Sequence, residues 1–338
     1  MRPHVLASCA TSLDGFLDDA SDERLILSGP ADLDRVDEER ARADAILVGA
    51  GTVRADDPRL LVRSADRRAE RVARGLPASP LRVVLTTRPV DPGARVLAGD
   101  AETVVLAGSP GEVLDELGRR GVVTLMVEGG AGVLRDFLTA GVVDELQLVH
   151  APRLVGDGPR FTGGGPDGHL VETRTLDDDV LLRYRFGDPD DRHLAEACTL
   201  AGRCPPSATA FSVGCVVVAA DGTVLGSGWS RRDDPLDHAE EGVLRRIGDD
   251  PRLRSATLYS SLEPCGRRGS RPHPCAELIV RAGIPRVVYA WSEPPEFVDA
   301  PSGAGQLAAA GIDTVQHARW EPLARRCALR AREQFEGL

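Results

Sequence analysis

The feature that most constrains this chain is a small set of metal-binding side chains, spread over two segments of its second half. His238 precedes Glu240 by two positions, and Cys265 follows a proline. Cys275 comes after nine further residues. An imidazole and two thiolates give Zn²⁺ three protein ligands and leave the fourth tetrahedral position open, as in catalytic zinc sites. We therefore predict that His238, Cys265 and Cys275 bind zinc.

Glu240 is the predicted catalytic residue beside that metal. It lies near the start of a predicted helix, where it can reach a water on the zinc, whose pKa the metal lowers, without ligating the metal itself. A non-ligating Glu beside a His/Cys/Cys zinc is the arrangement found in nucleobase deaminases, although their usual pattern has two residues between the cysteines rather than nine. The alternative is a decayed site that keeps only the fold.

Length, composition and charge narrow the class of protein. A chain of 338 residues with 42% hydrophobic content suits two packed domains. The net charge of −11 argues against a nucleic-acid or membrane partner, and the cations are all arginine. Seven scattered cysteines fit a reducing compartment, and we find neither a signal peptide nor a membrane span, so we expect a cytoplasmic protein.

The first half alternates strand and helix patterns, which predicts an α/β domain. The predicted strands cover 4–10, 45–48, 81–86, 103–107, 122–127, 142–151 and 180–186, and the predicted helices cover 31–43, 110–120 and 133–140. The strand ending at Val127 runs into the Gly-rich segment 128–132 and then into a helix. A helix that begins after such a turn is a ready anion site.

Three groups of residues in this half resemble the NADPH-dependent pyrimidine reductase domain of riboflavin biosynthesis, over about residues 1–186. They are Ser12-Leu-Asp-Gly15, the spacing Arg40…Thr52…Asp56…Leu60…Arg63, and Glu128-Gly-Gly130. The resemblance implies a dihydrofolate-reductase-like fold and hydride transfer from NADPH to an open-chain ribosylamino carbon. The implied NADPH-binding residues are Ala10, Thr52, Asp56, Thr87, Gly130 and Gly132. The implied substrate-binding residues are Arg40, Leu60, Arg63 and Glu128, and the arginines suit bidentate phosphate contact.

One position departs from the family pattern, and one alternative to catalysis stays open. Where bacterial members tend to have a serine that faces the substrate, this chain offers Arg24. The domain could also bind or dimerise without catalysing, since fold does not imply function.

The second half, residues 192–338 after a polar linker at 187–191, resembles the deaminase domain of the same pathway, with a cytidine-deaminase-like α/β/α fold. Predicted helices cover 191–202, the segment from Asp237, the segment carrying Cys275, 303–310 and 321–335; predicted strands cover 215–219, 223–229, 256–261, 286–290 and 312–316. The domain order is the reverse of the common bacterial enzyme. We call residues 266–274, between the two cysteines, the cysteine loop. Its length and the run Thr209-Ala-Phe211 resemble the fungal-type deaminase, which acts after the reductase.

Substrate contacts in this half are harder to predict. Phe211 could stack on the pyrimidine, or it could be a core residue before a strand. Arg267, together with Arg231 and Arg271, could hold the phosphate, although exposed arginines are usually solvated. His273, inside the cysteine loop, is interpreted as a substrate or loop residue rather than a zinc ligand.

Together these observations predict a bifunctional enzyme with Zn²⁺ and NADPH as cofactors. It would convert 2,5-diamino-6-(5-phosphoribosylamino)pyrimidin-4-one to 5-amino-6-(5-phosphoribitylamino)uracil, with reduction first. The resemblance also implies a homodimer. One alternative is a paralogue in a specialised pyrimidine or deazapurine pathway, and another is a non-catalytic zinc-stabilised binding protein. A nucleic-acid deaminase is disfavoured by the acidic charge and the fused reductase.

Overall fold

The chain divides into two compact units, Met1–Gly187 and Asp188–Leu338. The computed structural model describes residues 2–19, 21, 25–205, 207, 210–292 and 302–329. Two residues singled out in the sequence lie outside the described residues. They are Arg24, which stands where bacterial members have a substrate-facing serine, and Thr209.

Among its described residues, the first unit is built on an eight-stranded sheet. The strands are β1 (His4–Thr11), β2 (Ala45–Gly49), β3 (Leu81–Leu85), β4 (Thr103–Leu106), β5 (Thr124–Gly129), β6 (Glu145–His150), β7 (His169–Leu176) and β8 (Asp179–Arg185). Their order is β4-β3-β2-β5-β1-β6-β8-β7. The pairs from β4 to β6 are parallel, and β8 pairs antiparallel with both β6 and β7.

The centre of this sheet is buried because helices follow the parallel strands. The helices are α1 (Pro30–Arg42), α2 (Ala50–Asp56), α3 (Ala65–Ala73), α4 (Pro110–Arg119) and α5 (Ala131–Thr139). Strand β2 is buried at every position, as expected for a parallel strand covered on both faces. The carboxyl ends of the neighbouring strands β2, β5 and β1 therefore meet at one edge of the sheet, where ligands of open α/β sheets usually bind.

Most strands and helices of this unit lie where the sequence predicts them, but β7, α2 and α3 were not predicted. Strand β7 lies at the sheet edge and is largely exposed, so its sequence lacks the alternation of a half-buried strand. Helix α3 is dominated by charged residues, and α2 is short and begins beside two glycines. None of the three has the apolar periodicity on which prediction depends.

In the second unit, the described residues form a five-stranded sheet between helices. The strands are β9 (Gly214–Val218), β10 (Val224–Trp229), β11 (Thr257–Leu262), β12 (Arg286–Trp291) and β13 (Asp313–Gln316), in the order β10-β9-β11-β12-β13. The helices are α6 (Pro189–Ala201), α7 (Ala239–Ile247), α8 (Cys275–Ala282), α9 (Gly303–Ala309) and α10 (Glu321–Leu329). Strand β9 is antiparallel to both of its neighbours, whereas β11, β12 and β13 are parallel.

The ends of the second unit differ in detail from the sequence predictions. Helix α6 begins at Pro189, inside the segment assigned to the linker, and the Asp188 side chain caps it by accepting from the backbone N–H of Asp191. The last helix is described as far as Leu329, and the remainder of the helix predicted to 335 lies outside the described residues. In the part of the chain that the structure describes, no helix has both the length and the apolar character needed to span a membrane.

Candidate active sites

The three predicted zinc ligands come together in the second unit. His238 is the residue before α7, Cys275 is the first residue of α8, and Cys265 follows β11. Their ligand atoms all lie within 4.8 Å of one another. The Sγ atoms of Cys265 and Cys275 are 3.5 Å and 3.4 Å from His238 Nδ1. The fold thus gathers, from three different elements, the donor set that the sequence predicts.

One of the two thiols is disposed to lose its proton even without a metal. A hydrogen bond from Cys275 and the nearby His238 lower the pKa of Cys265 to about 4. The backbone N–H of Cys275, at the start of α8, also points at Cys265 Sγ over 3.4 Å, which favours thiolate. The pKa of Cys275 is raised because it shares its proton with Cys265 and is buried. Two soft sulfur donors and an imidazole, close together, fit Zn²⁺.

Glu240 lies beside this cluster, in the first turn of α7, and is 2% exposed. Its Oε1 accepts a hydrogen bond of 2.7 Å from the Ser260 hydroxyl, and its Oε2 lies 3.4 Å from Cys275 Sγ. Burial raises the pKa of Glu240. A carboxyl group that is fixed at one oxygen and has a raised pKa suits the transfer of protons at a reaction centre. Ser260 was missed in the sequence, where the only signal was a pair of serines in a buried strand.

The arginines predicted to bind phosphate in this unit have different surroundings. Arg267 is exposed, and its side chain has no partner among the described residues. Arg231 instead donates to backbone carbonyls, including that of Phe211 at 3.0 Å, and Arg271 pairs with Asp234 at 3.0 Å. Contacts inside the protein thus engage the guanidinium groups of Arg231 and Arg271, which favours Arg267 among the three candidate phosphate ligands.

Two further predicted substrate residues have local partners. The Phe211 ring contacts the Trp291 ring edge-on, with centroids 5.4 Å apart, and it packs against the hydrophobic core. That placement favours the core role over base stacking. His273 Nδ1 lies 3.2 Å from Glu277 Oε1 one helical turn away, and it does not belong to the group of potential metal ligands.

A cavity of about 460 Å³ lies at the carboxyl ends of β1, β2 and β5 in the first unit. The lining includes most residues predicted to bind NADPH, together with one predicted substrate residue: Ala10, Thr52, Asp56, Gly130, Gly132 and Glu128. We call it the glycine-turn cavity. Thr87 does not line it, because Thr87 lies exposed beyond the end of β3.

The turn between β5 and α5 gives this cavity a bare backbone surface. Gly129 and Gly130 have φ angles of 150° and 78°, and a Cβ on Gly130 would lie 3.1 Å from Thr52 Oγ1. No side chain caps the start of α5. The first N–H groups of that helix lack partners within it, so they can receive an anion. This surface fits the pyrophosphate of a dinucleotide such as NADPH.

A second cavity, of about 430 Å³, lies next to the first, and Asp56 lines both. It contains the predicted substrate residues Arg40, Leu60 and Arg63. Three further arginines, which no pattern in the sequence singles out, also line it: Arg59, Arg68 and Arg95. We call it the arginine cavity. The described residues offer no partner for the side chains of Arg59, Arg63 and Arg95, which are exposed.

Arg40 has a different role from the other arginines of this cavity. Its Nε and a terminal nitrogen donate to the two carboxylate oxygens of Glu128 at 2.6 Å and 2.5 Å, and it also donates to the Leu61 carbonyl. The side chains of Arg40 and Glu128 are only 10% and 11% exposed. Arg40 lines the arginine cavity as expected, but Glu128 already neutralises its charge. The unpaired cations of the cavity are therefore the better phosphate receptors.

The backbone of the arginine cavity is strained. Asp57 and Leu60 adopt positive φ angles of 39° and 50°, which non-glycine residues seldom do. Leu60 is also 3% exposed, so its side chain is fixed in the core while its backbone bends around the cavity. Strain of this kind costs about 1–3 kcal/mol per residue and concentrates at ligand sites.

Comparison with known families supports two different domains. Residues 3–182 match the family model described as RibD C-terminal domain. Residues 188–291 match the model described as cytidine and deoxycytidylate deaminase zinc-binding region. These matches confirm the predicted fold class, a dihydrofolate-reductase-like domain followed by a cytidine-deaminase-like domain. They also confirm the predicted order of the two domains along the chain, with the reductase domain before the deaminase domain.

Three curated proteins illustrate the likeness. A 2,5-diamino-6-ribosylamino-4(3H)-pyrimidinone 5′-phosphate reductase of Archaeoglobus fulgidus is 38% identical over 192 residues, which are 48% of this chain and 88% of that protein. The riboflavin biosynthesis protein RibD of Mycobacterium tuberculosis is 40% identical over 46% of this chain and 43% of its own length. A diaminohydroxyphosphoribosylamino-pyrimidine deaminase of Schizosaccharomyces pombe is 33% identical over 37% of this chain and 31% of its own length.

Proposed function

Because the chain belongs to the RibD C-terminal domain family and carries a deaminase zinc-binding region behind that domain, we propose that it is a bifunctional enzyme of riboflavin biosynthesis. It reduces the ribosyl group of 2,5-diamino-6-(5-phosphoribosylamino)pyrimidin-4-one with NADPH and hydrolytically deaminates the pyrimidine. The product is 5-amino-6-(5-phosphoribitylamino)uracil. The observation that carries this proposal is the cluster of His238, Cys265 and Cys275 with the buried carboxyl group of Glu240 beside it.

In the deaminase domain, His238, Cys265 and Cys275 would hold Zn²⁺. Bound zinc would supply a Lewis acid that makes a water molecule acidic enough to act as a nucleophile near neutral pH. Glu240 takes a proton from the attacking water and passes it to the departing amino group, so that a C–O bond forms, a C–N bond breaks and ammonia leaves. Ser260 holds one carboxylate oxygen of Glu240 at 2.7 Å and leaves the other for the reacting atoms. Arg267, an exposed residue of the cysteine loop, binds the substrate phosphate, and His273 of the same loop is a second candidate for contact with the substrate.

In the reductase domain, the residues of the glycine-turn cavity would hold NADPH, and the backbone N–H groups at the start of α5 would bind its phosphates. The arginine cavity would hold the sugar phosphate on Arg63, Arg59 and Arg95. Bound NADPH would supply the hydride that reduces the sugar carbon of the C=N bond in the ring-opened ribosylamino group, while a proton adds to the nitrogen. Since Asp56 lines both cavities, cofactor and substrate would meet beside it.

We place reduction before deamination. The Archaeoglobus relative is named as a reductase of the diamino compound, so its named substrate still carries the amino group that deamination removes. The name of the Schizosaccharomyces relative points the other way, because it gives an unreduced ribosylamino pyrimidine as the compound that is deaminated. That match covers only 31% of the relative, whereas the Archaeoglobus match covers 88%. The nine-residue cysteine loop, similar to that of fungal-type deaminases, supports a deaminase that prefers the ribitylamino compound.

Two further proposals concern the protein in the cell. We propose that it forms a homodimer through the first unit, where the edge strand β7 exposes Leu170 and Val171. We also propose that it resides in the cytoplasm, because all seven cysteines are free thiols, as a reducing compartment keeps them.

A coupled assay on purified, zinc-loaded protein tests the proposed function. NADPH oxidation and ammonia release are followed separately on the diamino ribosyl phosphate, with and without NADPH. Ammonia that is released only in the presence of NADPH supports both activities and the proposed order. Ammonia without NADPH contradicts the order, and the absence of both signals from protein that holds zinc contradicts the substrate.

A further inference from the structure

The loop between the two cysteines carries an arginine to which the proposed reactions assign no role. The side chain of Arg268 is only 3% exposed, although its neighbour Arg267 is exposed. Burying a guanidinium is unfavourable unless nearby acceptors satisfy its N–H groups. The acceptors of Arg268 therefore lie inside the protein, whereas Arg267 remains available to a ligand.

The guanidinium of Arg268 reaches out of the loop to the segment that carries His238 and Glu240. One terminal nitrogen donates to Glu241 Oε2 at 2.8 Å, and the other donates to the Leu236 carbonyl at 2.7 Å. Leu236 and Glu241 flank the ligand and the catalytic carboxylate in the sequence. A single rigid fork thus holds both sides of this short segment.

A second arginine of the loop makes similar but weaker contacts. Arg271 lies 3.0 Å from Asp234, 3.4 Å from Asp237 and 3.8 Å from Glu241. Its side chain is 32% exposed, so water screens these pairs and they contribute little. Arg245 also pairs with Asp237, so Asp237 keeps a partner when Arg271 is removed. Arg268 is therefore the principal link between the loop and the segment.

Helix α9 fixes the beginning of the same loop from another side. The Gln306 side chain donates to the Gly266 carbonyl at 2.9 Å, and Glu263 accepts from the backbone N–H of Ala304 at 2.8 Å. Gly303 packs so closely on Pro264 that a Cβ on Gly303 would lie 1.6 Å from the carbonyl oxygen of Pro264. Helix α9 thus anchors the residues on both sides of Cys265, whereas Arg268 contacts the segment that carries His238.

We propose that Arg268 is a positioning residue of the zinc centre, which fixes His238 relative to the two thiolates through its bonds to Glu241 and Leu236. This inference rests on the zinc centre of the proposed function. It also gives a role to one residue of the long loop between the two cysteines. Groups that orient metal ligands typically change metal affinity by about 10–100-fold when they are removed.

Zinc affinity of the full chain, measured by competition with a chromophoric chelator, tests the proposal. Arg268→Ala is expected to lower the affinity about tenfold or more. Arg268→Lys keeps the charge but not the planar fork, so it is expected to lie between Arg268→Ala and the wild type. Arg281→Ala is the matched control, because it removes an exposed arginine that pairs with Glu277 on α8.

Cobalt substitution gives a second readout that a purely structural role would not change. The visible absorption bands of Co²⁺ report ligand geometry, and Arg268→Ala is expected to shift them while Arg281→Ala leaves them unchanged. Unaltered zinc affinity and an unaltered cobalt spectrum in Arg268→Ala would overturn the proposal. A wild-type chain that binds no zinc would contradict the zinc centre itself. If Arg268→Ala fails to fold by circular dichroism, Arg268→Lys decides: reduced affinity supports the proposal, and wild-type affinity overturns it.

Discussion

The Ser260 hydroxyl donates a hydrogen bond of 2.7 Å to Glu240 Oε1, and both side chains are buried beside the three potential zinc ligands. Ser260 comes from β11 and Glu240 from α7, so the contact connects a central strand to the helix that follows His238. Without this donor, the carboxylate oxygen would be left buried and unsatisfied. The serine thus holds the carboxyl group in one orientation.

Replacing Ser260 by alanine is expected to slow deamination while leaving reduction intact. A buried acceptor left without its partner costs about 1–3 kcal/mol, so we expect kcat for ammonia release to fall about tenfold. Ser261→Ala is the control, because the Ser261 hydroxyl accepts from the Gly214 N–H rather than bonding to Glu240. Equal deaminase rates in Ser260→Ala and the wild type would show that Ser260 does not position Glu240.

Removing the metal should separate the two activities. A chelator is expected to abolish ammonia release, because His238, Cys265 and Cys275 would lose the ion that activates the nucleophile. NADPH oxidation by the other domain should persist, and Zn²⁺ should restore deamination where Mg²⁺ does not, since thiolate ligands favour the softer ion. Loss of NADPH oxidation in parallel with ammonia release would argue against two independent sites.

The zinc ligands could be predicted from the sequence because their chemistry is local. His238, Cys265 and Cys275 occur in a fixed order, and few other roles need these residue types together. Ser260 and Arg268 could not be predicted in the same way. Their roles depend on which carboxyl group the fold brings next to them: Glu240 for Ser260 and Glu241 for Arg268. Serine and arginine are common in many other roles, so neither residue type predicts such a partner.

Gly130→Ala is expected to weaken NADPH binding. Alanine at φ 78° costs about 1–2 kcal/mol, and its Cβ would also lie 3.1 Å from Thr52 Oγ1. We expect KM for NADPH to rise about tenfold, with deamination of the reduced substrate unchanged. Gly111→Ala is the control, because Gly111 lies in the first turn of α4 with open space around it. An unchanged KM in Gly130→Ala would remove this turn from the cofactor site.

The unpaired arginines of the arginine cavity should recognise the phosphate. A hydrogen bond to a charged group is worth about 1.5–3 kcal/mol, so Arg63→Ala is expected to raise the reductase KM for substrate at least about tenfold. Arg59→Ala and Arg95→Ala should act in the same direction. The dephosphorylated substrate should be insensitive to all three. Arg54→Ala is the control, because Arg54 is exposed and lines neither cavity; an equal effect of Arg54→Ala would indicate only a general loss of positive charge.

The reductase site shows a different limit of sequence-based prediction. Each residue that the resemblance implied for this site lines one of the two cavities, apart from Thr87, which lies outside the glycine-turn cavity. The resemblance did not show that Arg40 pairs with Glu128, nor that Arg59 and Arg95 face the arginine cavity. In a chain whose 41 cationic residues are all arginine, residue type alone cannot separate a phosphate ligand from a structural ion pair.

The most direct test of the central claim uses Glu240→Gln, a variant that keeps all three zinc ligands. Removing a proton-transferring carboxylate should lower the deamination rate about 10²–10⁴-fold. The variant is incubated with NADPH and the diamino ribosyl phosphate, and the product is identified by mass spectrometry. The account predicts a diamino ribityl compound, two hydrogens heavier than the substrate, with NADPH consumed and no ammonia released. Recovery of unreduced substrate with NADPH unconsumed, under conditions in which the wild type completes both reactions, would contradict it.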